Sequence, residues 1–149
     1  MDKIIAYELG GRTFVVHPAP QARMKAENER ALLDHIIKKN VPPDATNVSI
    51  RALADLPADR TFRDAWKHDL SVDMMRAREI HRDKLRRIRQ PLLTELDVAY
   101  MRADEAGVSV LKADISNRKQ GLRDVTKHPL IEVARTPDDL KQAIPDILK

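Results

Sequence analysis

The chain has 149 residues, of which 34% are charged and 3% are aromatic, and its formal net charge at pH 7 is +4. This length fits one domain or two small ones, and the absence of cysteine excludes disulfides and thiolate metal sites. Because no apolar run is long enough to span a membrane or to act as a secretion signal, we expect neither.

Residues 1–69 have the pattern of a small α+β unit. Two runs of strand character flank Gly10 and Gly11, and this glycine pair predicts a tight hairpin because glycine adopts positive φ at little cost. A stretch with apolar residues at helical spacing follows, and then a third apolar run that can join the hairpin's sheet. The predicted elements are strands at 3–8 and 12–16, a helix at 21–39 and a strand at 47–51.

Residues 70–149 are predicted to form a helical domain. A long helix is expected over 72–106, and Pro91 inside it removes a backbone donor, so we expect a kink there or two helices that meet there. Gly107 suits a left-handed cap at the end of this helix. A second helix at 110–125 follows closely, which predicts an antiparallel α-hairpin.

The long helix carries an apolar seam, a row of apolar residues separated by alternating steps of three and four. A further, short helix is expected near the C-terminus. Thr136 and Pro137 mark the start of that short helix, because threonine caps and proline suits the first turn. His81 occupies the position of the seam between Ala77 and Leu85, and we expect it to be a structural residue. The predicted fold class is α+β. The seam consists of Met74, Ala77, Leu85, Ile88, Leu92, Leu96 and Ala99.

The segment 56–66 holds the only tryptophan and one of the two phenylalanines. Phe62 and Trp66 are four residues apart, which predicts one helical turn with both rings on the same side. The two rings can either fill the chain's own core or contact a partner, since aromatic residues are enriched in both places. Because Arg60 and Arg63 flank them and arginine bonds well across subunit contacts, we predict that these four residues bind a partner.

Several segments of the chain resemble small tail-associated proteins of tailed bacteriophages. Two of them, IAYE and VVHPAP, correspond to the hairpin that opens those proteins, and the run KQGLRDVT is similar to an element shared with phage tail-fibre assembly proteins. They are spread over most of the chain, from residue 5 to residue 126, and contain no catalytic signature. The segments are 5–8, 15–20, 59–66, 72–74 and 119–126.

The resemblance implies a non-enzymatic virion protein, made in the bacterial host cytoplasm. In that interpretation it is a structural adaptor at the fibre or collar region of the tail, forms a homo-oligomer in the particle, and binds other virion proteins (tail fibre, collar or tail tube components). The alternative within the same resemblance is a tail-fibre assembly chaperone that is absent from the mature particle. The two roles differ in whether the protein stays in the virion.

The predicted long helix is strongly basic between residues 76 and 89, where seven basic residues face only Glu79 and Asp83. Such a cluster can neutralise phosphates, which leaves a nucleic-acid-binding module as an alternative function. No aromatic residue for base stacking lies nearby, and a face that is solvated or docks on an acidic protein is the commoner case. We therefore predict that Arg86 and Arg87 bind a partner protein. The basic residues are Arg76, Arg78, Arg82, Lys84, Arg86, Arg87 and Arg89.

The sequence shows no pattern of catalytic or metal-binding chemistry. The five histidines have no metal-ligand spacing, there is no cysteine nucleophile or G-x-S-x-G motif, and the four glycines do not cluster before a helix. We therefore expect no enzymatic activity, no cofactor and no bound metal.

Overall fold

The computed structural model describes residues 2–149, which form an α+β fold with a small sheet followed by helices. The chain divides into two compact units, one ending at Asp73 and the other running from Met74 to Lys149. Residues 70–73, which the sequence pattern assigns to the second domain, belong to the first unit. The reason is that Leu70 and Val72 pack against Trp66.

The first unit is built on a three-stranded antiparallel sheet with the strand order β2-β1-β3. Gly10 and Gly11 connect β1 to β2 with φ of 57° and 75°, the conformation that the sequence predicts for this turn. Beside the turn, the rings of Tyr7 and Phe14 stack with their centroids 5.5 Å apart. The strands are β1 (Lys3–Leu9), β2 (Arg12–Val16) and β3 (Thr46–Ala52).

The central strand β1 is covered on both faces, which is why its sequence is continuously apolar instead of alternating. On one face, Ile4 and Ala6 pack against Trp66 and Leu70. On the other face, Ile5 packs against the helical part of the unit. The three β1 residues have no exposed surface, so the core of this unit lies on both sides of one strand.

The helical part of the first unit consists of two helices, α1 (Pro20–Lys25) and α2 (Glu29–Asn40), and not of the single helix predicted over 21–39. Asn28 interrupts the helix because its backbone is extended and its side chain accepts a hydrogen bond from the Ala31 N–H at 2.8 Å, which caps α2. Met24, counted from the sequence as part of the apolar stripe, is 86% exposed.

The second unit contains the predicted α-hairpin. The helix α3 is 32 residues long and continues through Pro91, so the alternative of two helices meeting there is wrong. Arg87 and Pro91 both lie on the exposed side, where water can replace the helical donor that proline lacks. Within residues 2–149, no helix combines the length and the apolarity needed to cross a membrane. The helices are α3 (Met74–Glu105), α4 (Ser109–Arg123), α5 (Pro129–Val133) and α6 (Pro137–Gln142).

Two predicted helix ends, at Gly107 and Thr136, are confirmed. Gly107 has a φ of 69°, and the Val108 N–H donates to the Ala103 carbonyl at 3.0 Å, which closes α3 with a left-handed cap. At the start of α6, the side chain of Thr136 accepts from the Asp139 N–H, and the Asp139 carboxylate accepts from the Thr136 N–H.

The core of the second unit is centred on the first half of α3. His81 is buried as expected, and its Nε2–H donates to the Ala143 carbonyl at 2.8 Å, since a carbonyl oxygen can only accept. Leu85, Ile131 and Leu140 are also fully buried. The predicted seam is buried at Ala77, His81 and Leu85, whereas Ile88 is partly exposed.

Candidate partner-binding site

The aromatic pair of segment 56–66 lies in the core of the first unit. Trp66 and Phe62 are each 3% exposed, and Trp66 packs against Ile4, Ala6 and Leu70. On this face of the sheet, Leu56 and Val72 pack around the same cluster as Trp66. Of the two possibilities that the sequence left open, the structure places both rings in the core and not on the predicted interface.

The backbone around Trp66 is held in place by several hydrogen bonds. The Thr13 hydroxyl donates to the Trp66 carbonyl at 2.8 Å, and the Asp73 N–H donates to the Ala65 carbonyl at 2.8 Å. An isolated antiparallel bridge joins Trp66 to Val72. The indole N–H of Trp66 is buried without an acceptor among residues 2–149. The tryptophan therefore fixes the segment through apolar packing and its backbone.

The loop before Trp66 presents Arg60 and Arg63 to solvent. Asp59 accepts hydrogen bonds from the N–H and the hydroxyl of Thr61, at 2.9 and 2.6 Å, which fixes the start of the loop. A 3₁₀ turn at Arg63–Ala65 then leads into the buried tryptophan. Both arginine side chains are exposed, and neither forms an ion pair within the described part of the chain. Both guanidinium groups are therefore accessible from solvent, and their binding to a partner stays a prediction.

A third arginine, Arg12 at the start of β2, joins this pair. Together they line an open cleft of about 370 Å³, here named the arginine cleft. Arg12 pairs with Asp64 at 3.2 Å, and Asp64 is the only carboxylate among the lining residues. The sequence does not reveal the part played by Arg12, because the hairpin brings it to the loop from a distant position. The cleft is lined by Arg12, Thr13, Phe14, Arg60, Thr61, Arg63 and Asp64.

In the basic stretch of α3, three arginines bind backbone carbonyls of the second unit. Arg78 donates to the carbonyls of Ile131 and Ala134, at 3.1 and 3.0 Å. Arg89 donates to the Arg123 carbonyl at 2.6 Å. These acceptors lie at the ends of α5 and α4, where helical carbonyls lack their own donors.

The third arginine of this kind, Arg82, donates to the Thr126 carbonyl at 3.3 Å and pairs with the carboxylates of Glu79 and Glu132. The sequence alone does not distinguish these three arginines from the other basic residues of the stretch. Arg78, Arg82 and Arg89 each follow a seam position directly, but so does Arg86, which lies on the exposed side of the helix.

The other predicted residues of α3, Arg86 and Arg87, lie on its exposed side. Arg86 pairs with Asp83 one turn earlier, and Arg87 forms no ion pair within the described residues. Since three basic side chains of the stretch serve the fold, the surface available to phosphates is smaller than the sequence indicates. The two exposed arginines remain candidates for binding a protein.

No known protein family, curated protein or solved structure matches this chain. Residues 2–149 contain no group of three or more histidine, aspartate or glutamate side chains placed to hold a metal ion. The arguments on function therefore rest on the residues and their geometry.

Proposed function

We propose that the protein is a non-enzymatic structural adaptor of a bacteriophage tail that binds other virion proteins in the fibre or collar region. The virion assignment rests on the resemblance of segments 59–66 and 119–126 to tail proteins. The observation that carries the binding role is the exposure of Arg60 and Arg63 beside two buried rings, Phe62 and Trp66. Phe62 lies between the two arginines and Trp66 follows them, and because these buried rings anchor the loop, less conformational entropy is lost when a partner binds.

The second unit offers a separate exposed pair, Arg86 and Arg87. They lie on a helix whose inward arginines already hold α4 and α5 in place. Guanidinium groups bind carboxylates and carbonyls of neighbouring subunits. One arginine surface on each unit gives the chain two places of attachment, which an adaptor between two virion proteins needs.

The adaptor role predicts that the protein is a stoichiometric component of the particle. Mass spectrometry of purified virions should find it at a fixed copy number relative to the other tail proteins. Its presence in infected cells together with its absence from virions would contradict the adaptor and favour the tail-fibre assembly chaperone.

Reversing both charges, with Arg86→Glu and Arg87→Glu, should lower incorporation into particles and leave the fold nearly intact. Exposed charges contribute about 0–1 kcal/mol to stability, so thermal melting should change little. Arg30→Glu together with Arg118→Glu, two exposed substitutions away from this surface, is the control because it changes the net charge by the same amount. Normal incorporation of the double variant would contradict the role of this surface.

The nucleic-acid alternative is tested on the same variants. Real binding to random duplex DNA should weaken steeply as salt rises, because counterions are released from the phosphates. We expect only weak binding, since Arg78, Arg82 and Arg89 are engaged by the protein itself. Tight, salt-dependent binding that the Arg86 and Arg87 reversals abolish would favour the nucleic-acid module.

A further inference from the structure

The arginine cleft combines positive charge from two distant parts of the chain. Arg12 stands at the start of β2, while Arg60 and Arg63 come from the loop that Trp66 holds. Asp64 offsets one of the three positive charges by pairing with Arg12. The cleft therefore keeps an excess of two positive charges, and a concave surface concentrates the field of such an excess.

The side-chain hydrogen-bond donors left in the cleft belong to the arginines. The Thr13 hydroxyl already donates to the Trp66 carbonyl, and the Thr61 hydroxyl donates to Asp59. Arg60 and Arg63 have no ion-pair partner in residues 2–149. A ligand that matches these groups must supply negatively charged acceptors, and the guanidinium fork suits carboxylates and phosphates.

Two observations favour carboxylates over the phosphates of a nucleic acid. The Arg12–Asp64 pair, at 3.2 Å, shows a guanidinium of the cleft already binding a carboxylate. Single-stranded nucleic acids also use aromatic rings on which bases stack. The cleft has a single ring, Phe14, which is half-buried with one face already stacked on Tyr7, so it offers no series of rings for successive bases.

We propose that the arginine cleft binds the carboxylates of an acidic segment in a partner protein. Arg60 and Arg63 make the first contacts. Asp64 holds Arg12 in the cleft, and its own negative charge weakens the attraction for the partner's carboxylates. This inference rests on the proposed protein-binding function and names the chemistry of one partner. It also assigns a role to Arg12.

The test uses the full chain and a fluorescently labelled oligoglutamate peptide. Replacing Arg60 and Arg63 together with glutamine should weaken peptide binding about tenfold or more, because two charged contacts are lost. Asp64→Asn should tighten binding several-fold, since it removes the competing carboxylate. Arg30→Gln with Arg118→Gln is the matched control, because it removes the same charge from exposed positions outside the cleft.

The proposal is overturned if the peptide does not bind, or if the control variant loses as much affinity as the cleft variant. Tighter binding of inorganic phosphate or random duplex DNA, with the same dependence on Arg60 and Arg63, would also overturn it in favour of a phosphate site. Thermal melting of each variant should match the unaltered protein, because the substituted side chains are exposed.

Incorporation into virions separates this proposal from the adaptor function. If the cleft variant loses peptide binding but enters particles normally, the cleft is not the site of the tail partner and the adaptor role stands. If the unaltered protein binds the peptide through Arg60 and Arg63 but is absent from virions, the adaptor role fails and the carboxylate site stands.

Discussion

Replacing Trp66 with alanine is expected to lower the free energy of unfolding of the first unit by about 3–5 kcal/mol. The ring fills the space between Ile4 and Ala6 on the sheet and Leu70 on the returning chain, so its removal leaves a cavity in the core. Trp66 also anchors the loop that carries Arg60 and Arg63. Amide hydrogen exchange of β1 should accelerate strongly, while exchange in α3 should change little.

Trp66→Phe is the control for this prediction. Phenylalanine keeps much of the apolar volume and removes the indole N–H, which is buried without an acceptor in the described chain, so the loss of stability should be smaller. A Trp66→Ala protein that is as stable as the unaltered chain would show that the ring is not part of the core. In that case the alternative of a ring that contacts a partner would return.

Replacing Arg78 with alanine is expected to lower the free energy of unfolding of the second unit by about 2–3 kcal/mol, a large effect for an arginine. Its guanidinium donates to the carbonyls of Ile131 and Ala134 at the end of α5. The substitution removes this charged donor from both carbonyls. Both acceptor residues are buried, so water replaces the donor poorly. Chemical denaturation followed by circular dichroism at helical wavelengths should show the loss.

Arg87→Ala is the matched control, because it removes an exposed arginine from the same helix and should change stability by less than about 0.5 kcal/mol. The only tryptophan lies in the first unit, so its fluorescence reports the unfolding of that unit separately. In Arg78→Ala this signal should keep its midpoint. Equal effects of the two substitutions would contradict the structural role of Arg78.

The local features of the fold could be predicted from the sequence because each depends on a few neighbouring residues. The turn at Gly10 and Gly11 needs two positive φ angles, and glycine supplies them at little cost. The end of α3 at Gly107 and the start of α6 at Thr136 follow from the same kind of local chemistry. The break at Asn28 was missed, because apolar spacing continued across a residue that prefers to cap.

The candidate site was only partly predictable. The loop arginines Arg60 and Arg63 were identified from their neighbourhood in the sequence, but Arg12 was not, because pairing of β2 within the sheet brings it to the cleft. In α3, the sequence shows a basic stretch but does not distinguish the arginines that bind backbone carbonyls from those that stay exposed. Arg78 and Arg89 bind carbonyls whose positions depend on where α5 and α4 end.

By itself the sequence determined the α+β class, the β-hairpin, the α-hairpin and the helix ends at Gly107 and Thr136, since backbone preferences and apolar periodicity act over short distances. Only the tertiary structure decided which side chains remain available to a partner. Phe62 and Trp66 are both buried, and Trp66 covers the apolar side chains of Ile4 and Ala6 on one face of the sheet, which removes apolar surface from water. Arg60 and Arg63 stay in solvent because charged groups without partners are costly to bury.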